Sequence, residues 1–187
     1  MQGVVLWLVR HGQTDWNVEG RYQGQADPPL NVIGLAEARQ AASRLAGKPL
    51  GAIYSSDLLR ARQTAEIIAR ACNAPLRLEP RLREVNLGAW EGMLFDQIRA
   101  QYPAELRERE RNPLNSRPPG GETVDEVWQR LRAALREIAG QYLGQQVALV
   151  SHGLTLGTLL AYAKERDPAQ AFRYIPPNGI VQCVDWQ

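Results

Sequence analysis

The chain contains two histidines, His11 and His152. Each follows an apolar run after one polar residue, and each precedes a glycine: Val9-Arg-His-Gly and Val150-Ser-His-Gly. Runs such as Val4–Val9 and Val147–Val150 suit strands buried on both faces, as in the middle of a parallel sheet. Ligands of open α/β sheets bind beyond the carboxyl ends of the strands. If the two strands are parallel neighbours, imidazoles far apart in sequence meet at one site. Gly12 and Gly153 would let the backbone turn sharply and let a ligand come close, which places Gly153 with the substrate-binding candidates.

Charged residues sharpen this picture. Arg10 adjoins His11, and Arg60 and Arg62 fall in the first turns of a helix starting beyond Ser55-Ser56, at the same sheet edge. Two positions apart, they point about 200° away from each other on a helix, so only one faces the site easily. Glu84 and Glu91 flank Asn86–Trp90, just beyond a third strand. Spacing alone does not choose between them.

Two histidines, two or more arginines and a glutamate fit phosphoryl transfer through a histidine. A neutral imidazole is a good nucleophile near neutral pH. Guanidinium groups neutralise the equatorial oxygens. A Glu can protonate the leaving oxygen and then take a proton from the attacking water. The attacking histidine must be unprotonated, whereas the other histidine and the arginines are expected to be positive towards phosphate, and a bound dianion raises the pKa of that second histidine. Two histidines with Glu84 or Glu91 could instead bind a metal, but the accompanying arginines would repel a cation. No carboxylate cluster suited to Mg²⁺ and no Gly-x-x-x-x-Gly-Lys-Ser/Thr loop is visible. No metal and no cofactor is expected.

The elements that position these groups alternate. After the Val4–Val9 strand, residues 12–30 read as a long functional loop. Asn31 can cap a helix to about Leu45, ended by Gly47 and Pro49. A strand at Ala52–Tyr54 leads through Ser55-Ser56-Asp57, which are cap-type residues, to a helix from Leu58 to about Cys72. Leu76–Leu78 is a third strand. The order β, α, β, α, β implies a parallel sheet with helices on both faces. Residues 84–121 are interrupted by prolines, and we read about 93–117 as an insertion over one end of the sheet. Its Glu105–Arg111 stretch alternates charge like a solvated helix. Thr123–Glu126 fits a capping box, opening a helix to about Tyr142. Val147–Val150, a helix of about ten residues and a strand near Ile180–Val184 complete the chain.

Composition bounds the rest. With 187 residues, 44% hydrophobic and 22% charged, the chain suits one globular domain and excludes a disordered or fibrous one. A net charge of +2 is too balanced for a protein that mainly grips nucleic acid. Cys72 and Cys183 lack the spacing of a zinc site or disulfide framework. The opening apolar stretch is too short for a signal core or a membrane span, so no membrane partner and a cytoplasmic location are expected.

Leu8-Val-Arg-His-Gly-Gln-Thr14 with Asn17 resembles the signature of the histidine phosphatase superfamily, which includes the cofactor-dependent phosphoglycerate mutases. The resemblance continues through Ser55–Ala65, Arg83-Glu84 with Gly88–Gly92, Pro119–Glu122 and Val150–Gly153, in family order. It implies a three-layer α/β/α sandwich with a mostly parallel central sheet, a single domain over 1–187, and His11 as the nucleophile. It implies that Arg10, Arg60 and His152 hold the phosphoryl oxygens, and that Asn17 and Gln23-Gly24 line the pocket. It also names Glu84 as the proton donor and leaves Glu91, Thr14 and Arg62 in supporting roles. The mutases carry a longer insertion, whereas Pro118–Thr123 resembles the small phosphatases. Hydrolysis of small phosphate monoesters is therefore expected ahead of mutase activity, and both ahead of a non-catalytic phospho-ligand module. Arg99, Arg107, Arg109, Arg111 and Arg117 could meet a second anionic group, though most suit the surface. Trp90, Trp128 and Tyr102 suit the core better than a pocket. A homodimer is left open.

Overall fold

A computed structural model describes residues 3–186. Its centre is a five-stranded sheet built from β1 (Val4–Arg10), β2 (Leu50–Ser55), β3 (Leu76–Leu78), β4 (Gln146–Ser151) and β5 (Val181–Trp186), in the order β3-β2-β4-β1-β5. β1, β2, β3 and β4 run parallel, and β5 pairs antiparallel with β1 at one edge. The two apolar runs are neighbours: Val9 lies opposite Val150 and Arg10 opposite Ser151. That register delivers both histidines to the same edge.

Alternation along the strands supplies two cores. Leu6, Leu8, Val147 and Leu149 face α6 (Val124–Gln141) and α7 (Gly153–Ala163). Val9, Ile53, Ala148 and Val150 face α2 (Val32–Leu45) and α3 (Leu59–Cys72). The result is three layers, helix on sheet on helix. A third cluster around Trp90, Ile98 and Val127 joins α4 (Phe95–Gln101) and α5 (Pro103–Arg111) to the first turns of α6 and α7. Trp90 belongs to it, and Trp128 stacks on Tyr162 at 3.6 Å in the α6–α7 core. Among the described residues, no helix is long and apolar enough to cross a membrane.

Local sequence explains most boundaries. Asn31 caps α2 by accepting the Gly34 N–H at 2.9 Å. Thr123 and Glu126 cap α6 reciprocally, at 3.0 and 2.8 Å. The 12–30 loop departs from expectation by containing a short helix, α1 (Asp15–Glu19), because Thr14 and Asn17 cap it as a pair. The start of α3 also differs. Of its expected cap residues, Ser56 accepts the Leu58 N–H at 3.3 Å but also meets His152, and Asp57 pairs with Arg83. Asp27, from the loop after β1, accepts the Leu59 N–H at 2.6 Å instead.

Candidate active site

The two imidazoles meet at the carboxyl edge of β1 and β4, with ring centroids 5.1 Å apart. Both are buried. The His11 N–H donates to the Ser151 carbonyl at 3.0 Å, which ties one turn to the other. Nδ1 of His11 lies 2.7 Å from the Gly12 carbonyl. A carbonyl only accepts, so Nδ1 carries the proton and Nε2 keeps its lone pair. That Nε2 accepts from Arg60 Nε at 3.3 Å. Burial, then the charges of Arg60 and Arg10, push His11 well below the usual histidine range, so it stays neutral.

Without a ligand, His152 is held low in the same way. Burial, followed by Arg60, His11, Arg130 and Arg10, holds its pKa well below the usual range, so the ligand-free site favours the neutral ring. Its Nε2 sits 2.8 Å from Ser56 Oγ, while Nδ1 is buried with no partner among the described residues. A hydroxyl donating to Nε2 would leave Nδ1–H free to donate without a net charge on the ring.

Arg60 is 1% exposed. Its Nη1 and Nη2 donate to the carbonyls of Ala26 and Gly24 at 2.6 and 2.7 Å. Burial lowers its pKa to about 10, which leaves it cationic at neutral pH. Arg10 donates through Nη1 to the Pro176 carbonyl at 2.7 Å, and its buried Nε has no partner among the described residues. Both guanidinium groups bond to carbonyls rather than carboxylates, so their charge is left for an anion. Arg62 points away, 3.7 Å from Glu66 on the exposed face of α3.

The two glutamates separate cleanly. Glu84 lies at the start of α7, where Oε2 accepts from Leu154 N at 3.0 Å. Its Oε1 accepts from Val85 N at 2.9 Å and from Thr155 N and Oγ1 at 3.1 Å each. An acidic side chain is favoured at a helix N-terminus. Glu84 lines the cavity. Glu91 braces the wall behind, accepting from Gln25 N at 2.7 Å and Leu87 N at 3.2 Å.

The loop candidates line the same cavity of about 260 Å³: Asn17, Gln23, Gly24 and, from α7, Gly153. Asn17 Oδ1 holds the Thr14 N–H at 3.0 Å, and Asn178 Nδ2 donates to the His11 carbonyl at 2.9 Å. Thr14 thus braces the loop. Gly24 adopts φ +52°, and a Cβ there would lie 2.3 Å from Glu91 Oε1. A Cβ on Gly153 would sit 3.4 Å from the Arg10 guanidinium carbon. Gly12 has a different reason from the one expected. Its Cβ would lie 2.3 Å from the Gly34 carbonyl oxygen, so helix α2, not a ligand, excludes a side chain.

Sequence reasoning missed part of the wall. Arg21, Tyr22, Phe172 and Ile175 line the cavity. Arg109, one of the five arginines offered for a second anion, also lines it, although the run of alternating charge suited most of them to solvent. Its guanidinium lies 4.6 Å from the Phe172 ring centre and 5.3 Å from that of Trp90. Burial lowers its pKa. A second cavity of about 310 Å³ adjoins the first and shares Tyr22, Arg109 and Phe172 with it. The missing signal was Trp90 and Phe172, distant aromatics that only the fold places around one arginine.

Known proteins resemble this chain in sequence and fold. Residues 6–187 match the family model of the histidine phosphatase superfamily, branch 1. A protein named probable phosphoglycerate mutase GpmB from Escherichia fergusonii is 41% identical over 97% of this chain and 85% of its own. YhfR of Bacillus stearothermophilus superposes with a TM-score of 0.88 at 37% identity, covering 96% of this chain and 90% of that one. A mycobacterial glucosyl-3-phosphoglycerate phosphatase solved with VO3 gives 0.86 at 32% identity, covering 100% and 97%. With residues 6–187 matched, the chain belongs to branch 1 of the histidine phosphatase superfamily.

Proposed function

We propose that the protein is a metal-independent phosphatase that hydrolyses small phosphate monoesters through a phosphohistidine. One observation carries this: a neutral His11 with its Nε2 lone pair free of a proton, inside a cavity where Arg10 and Arg60 lack carboxylate partners. The ester's phosphoryl group displaces the Arg60 contact from Nε2. Arg10, Arg60 and the Nδ1–H of His152 then hold its three non-bridging oxygens. His11 Nε2 attacks phosphorus as the ester P–O bond breaks, and Glu84 protonates the departing oxygen. Water enters, Glu84 takes its proton, and its oxygen displaces His11 to release inorganic phosphate. The bound dianion favours protonation of His152 more than the empty site does. Asn17 and Gln23 face the entering group from the loop, and Gly24 and Gly153 leave it room.

Arg109 extends the proposal to the leaving group. A cation with aromatic rings around it, on the wall between two cavities, suits an ester whose organic part is apolar and carries a second anion, such as a carboxylate. The same feature and the GpmB relatives favour a second activity, phosphoglycerate mutase. Inorganic phosphate released from 3-phosphoglycerate faster than the 2-isomer forms is the outcome expected here, and the reverse would establish a mutase. Turnover of 4-nitrophenyl phosphate should survive chelators and fall at least about a thousandfold in His11→Ala. Activity that vanished with chelator and returned with a divalent metal would reject the scheme.

A further inference from the structure

The segment that presents Glu84 has little regular structure of its own. Residues 79–92 contain only two short 3-10 turns, Pro80–Leu82 and Gly88–Trp90. Its main chain is instead held by side chains: Ser151 Oγ donates to the Leu82 carbonyl at 2.7 Å, Thr155 Oγ1 to that of Arg83 at 2.9 Å and Gln25 Nε2 to that of Glu84 at 3.2 Å, and one further side chain makes three such bonds. Arg130, on α6, donates through Nη1 to the carbonyls of Arg81 and Arg83 at 2.7 and 2.8 Å, and through Nη2 to that of Glu84 at 3.0 Å. Its remaining donors go to Glu122, Nε to Oε1 at 3.0 Å and Nη2 to Oε2 at 3.1 Å. A guanidinium has five N–H donors, and these five bonds use the full set.

Glu122 closes the frame. Its Oε2 accepts the Asn86 N–H at 2.8 Å, and its own N–H donates to the Asn86 carbonyl at 2.8 Å. The preceding turn fits the same segment at contact distance: a Cβ on Gly121 would lie 2.5 Å from the Asn86 oxygen. Neither Arg130 nor Glu122 lines the cavity. Their bonds bracket Glu84 on both sides in sequence while leaving its carboxyl group untouched.

We infer that Arg130 and Glu122 are positioning residues that set the reach of the Glu84 carboxyl group to the departing oxygen. The inference rests on Glu84 being the proton donor in the reaction proposed above. In that step the His11 Nε2–phosphorus bond forms and the ester P–O bond breaks. The bonding pair stays on the leaving oxygen, which takes the proton from Glu84. A displacement of about 1 Å in such a donor costs up to about 100-fold in rate. The loss depends on the ester. An alkoxide needs the proton, whereas a dinitrophenolate leaves without it.

The test compares benzyl phosphate with 2,4-dinitrophenyl phosphate in the wild type, Arg130→Lys, Glu122→Gln and the benchmark Glu84→Gln. Rates are taken per folded molecule, scored by tryptophan fluorescence. Lysine keeps the charge but offers three donors in place of five. In Arg130→Lys and Glu122→Gln, kcat/KM for benzyl phosphate should fall about 30-fold or more, while that for the dinitrophenyl ester falls less than about threefold. Glu84→Gln should show the same skew, larger. Equal losses on the two esters, or no loss on either, would overturn the positioning role. A wild type that cleaved neither ester would instead sink the phosphatase proposal, which keeps the two failures apart.

Discussion

Replacing Arg109 with methionine should change which esters the protein prefers. The guanidinium sits 4.6 and 5.3 Å from the Phe172 and Trp90 ring centres, on the wall shared by the two cavities. Methionine preserves much of the side-chain volume against those rings and removes the charge. A hydrogen bond to a charged group contributes about 1.5–3 kcal/mol, which is about 10- to 150-fold in kcat/KM. The upper half of that range applies, because the Phe172 and Trp90 rings cover the guanidinium and displace part of the water that would screen its field. The assay is kcat/KM for 4-carboxyphenyl phosphate and for phenyl phosphate, in both proteins at one ionic strength. The carboxylate ester should lose about 30- to 150-fold relative to the neutral one, and Arg109→Lys should restore part of the loss. A preference unchanged within about twofold would refute an anion-reading role and leave Arg109 as a packing residue. The lost cation–π contacts should lower stability by about 1 kcal/mol in either case, so melting alone decides nothing.

Other outcomes follow from the same geometry. Gly12→Ala drives a methyl group into the Gly34 backbone and should destabilise the fold by about 1–3 kcal/mol; a thermal melt unchanged within error would contradict that. Asp27→Ala removes the N-terminal partner of α3 and should cost about 1 kcal/mol in urea unfolding, with stability unchanged as the refuting result. His11 and His152 are both held below the histidine value of 6.5, so the unfolded chain binds more protons than the folded one as pH falls through that value. Their stabilising contribution is therefore present above pH 6.5 and is lost progressively below it. A urea midpoint that rose between pH 7.5 and pH 5 in the ligand-free protein would contradict this, and His152→Asn should flatten the dependence.

The fold was legible where one segment carries its own signal. The Val4–Val9 and Val147–Val150 runs, the Asn31 cap and the Thr123–Glu126 box each announce their element from within a few residues. So did the pairing of the histidines, because the same pattern ended both runs. The departures arise where distant residues compete. Ser55-Ser56-Asp57 has the chemistry of a helix cap, but His152 and Arg83 also engage Ser56 and Asp57, and Asp27 accepts the Leu59 N–H. Gly12 looked like room for a ligand and proved to be room for a helix. Arg109 looked solvated because its neighbours in sequence are charged, whereas its neighbours in space are rings. Spacing left Glu84 and Glu91 open and the family resemblance named Glu84; in the fold the amides at the start of α7 reach only Glu84.

β1 lies between β4 and β5, two strands made from the last quarter of the chain. During synthesis it therefore waits, apolar and unpaired on both edges, until almost everything else has been made. Loop closures this long slow folding and leave sticky edges exposed meanwhile. His11 at its tip acquires its anchors, the Ser151 carbonyl and the Asn178 amide, only once β4 and the segment before β5 are in place. A fragment ending before β4 would therefore carry His11 without either anchor.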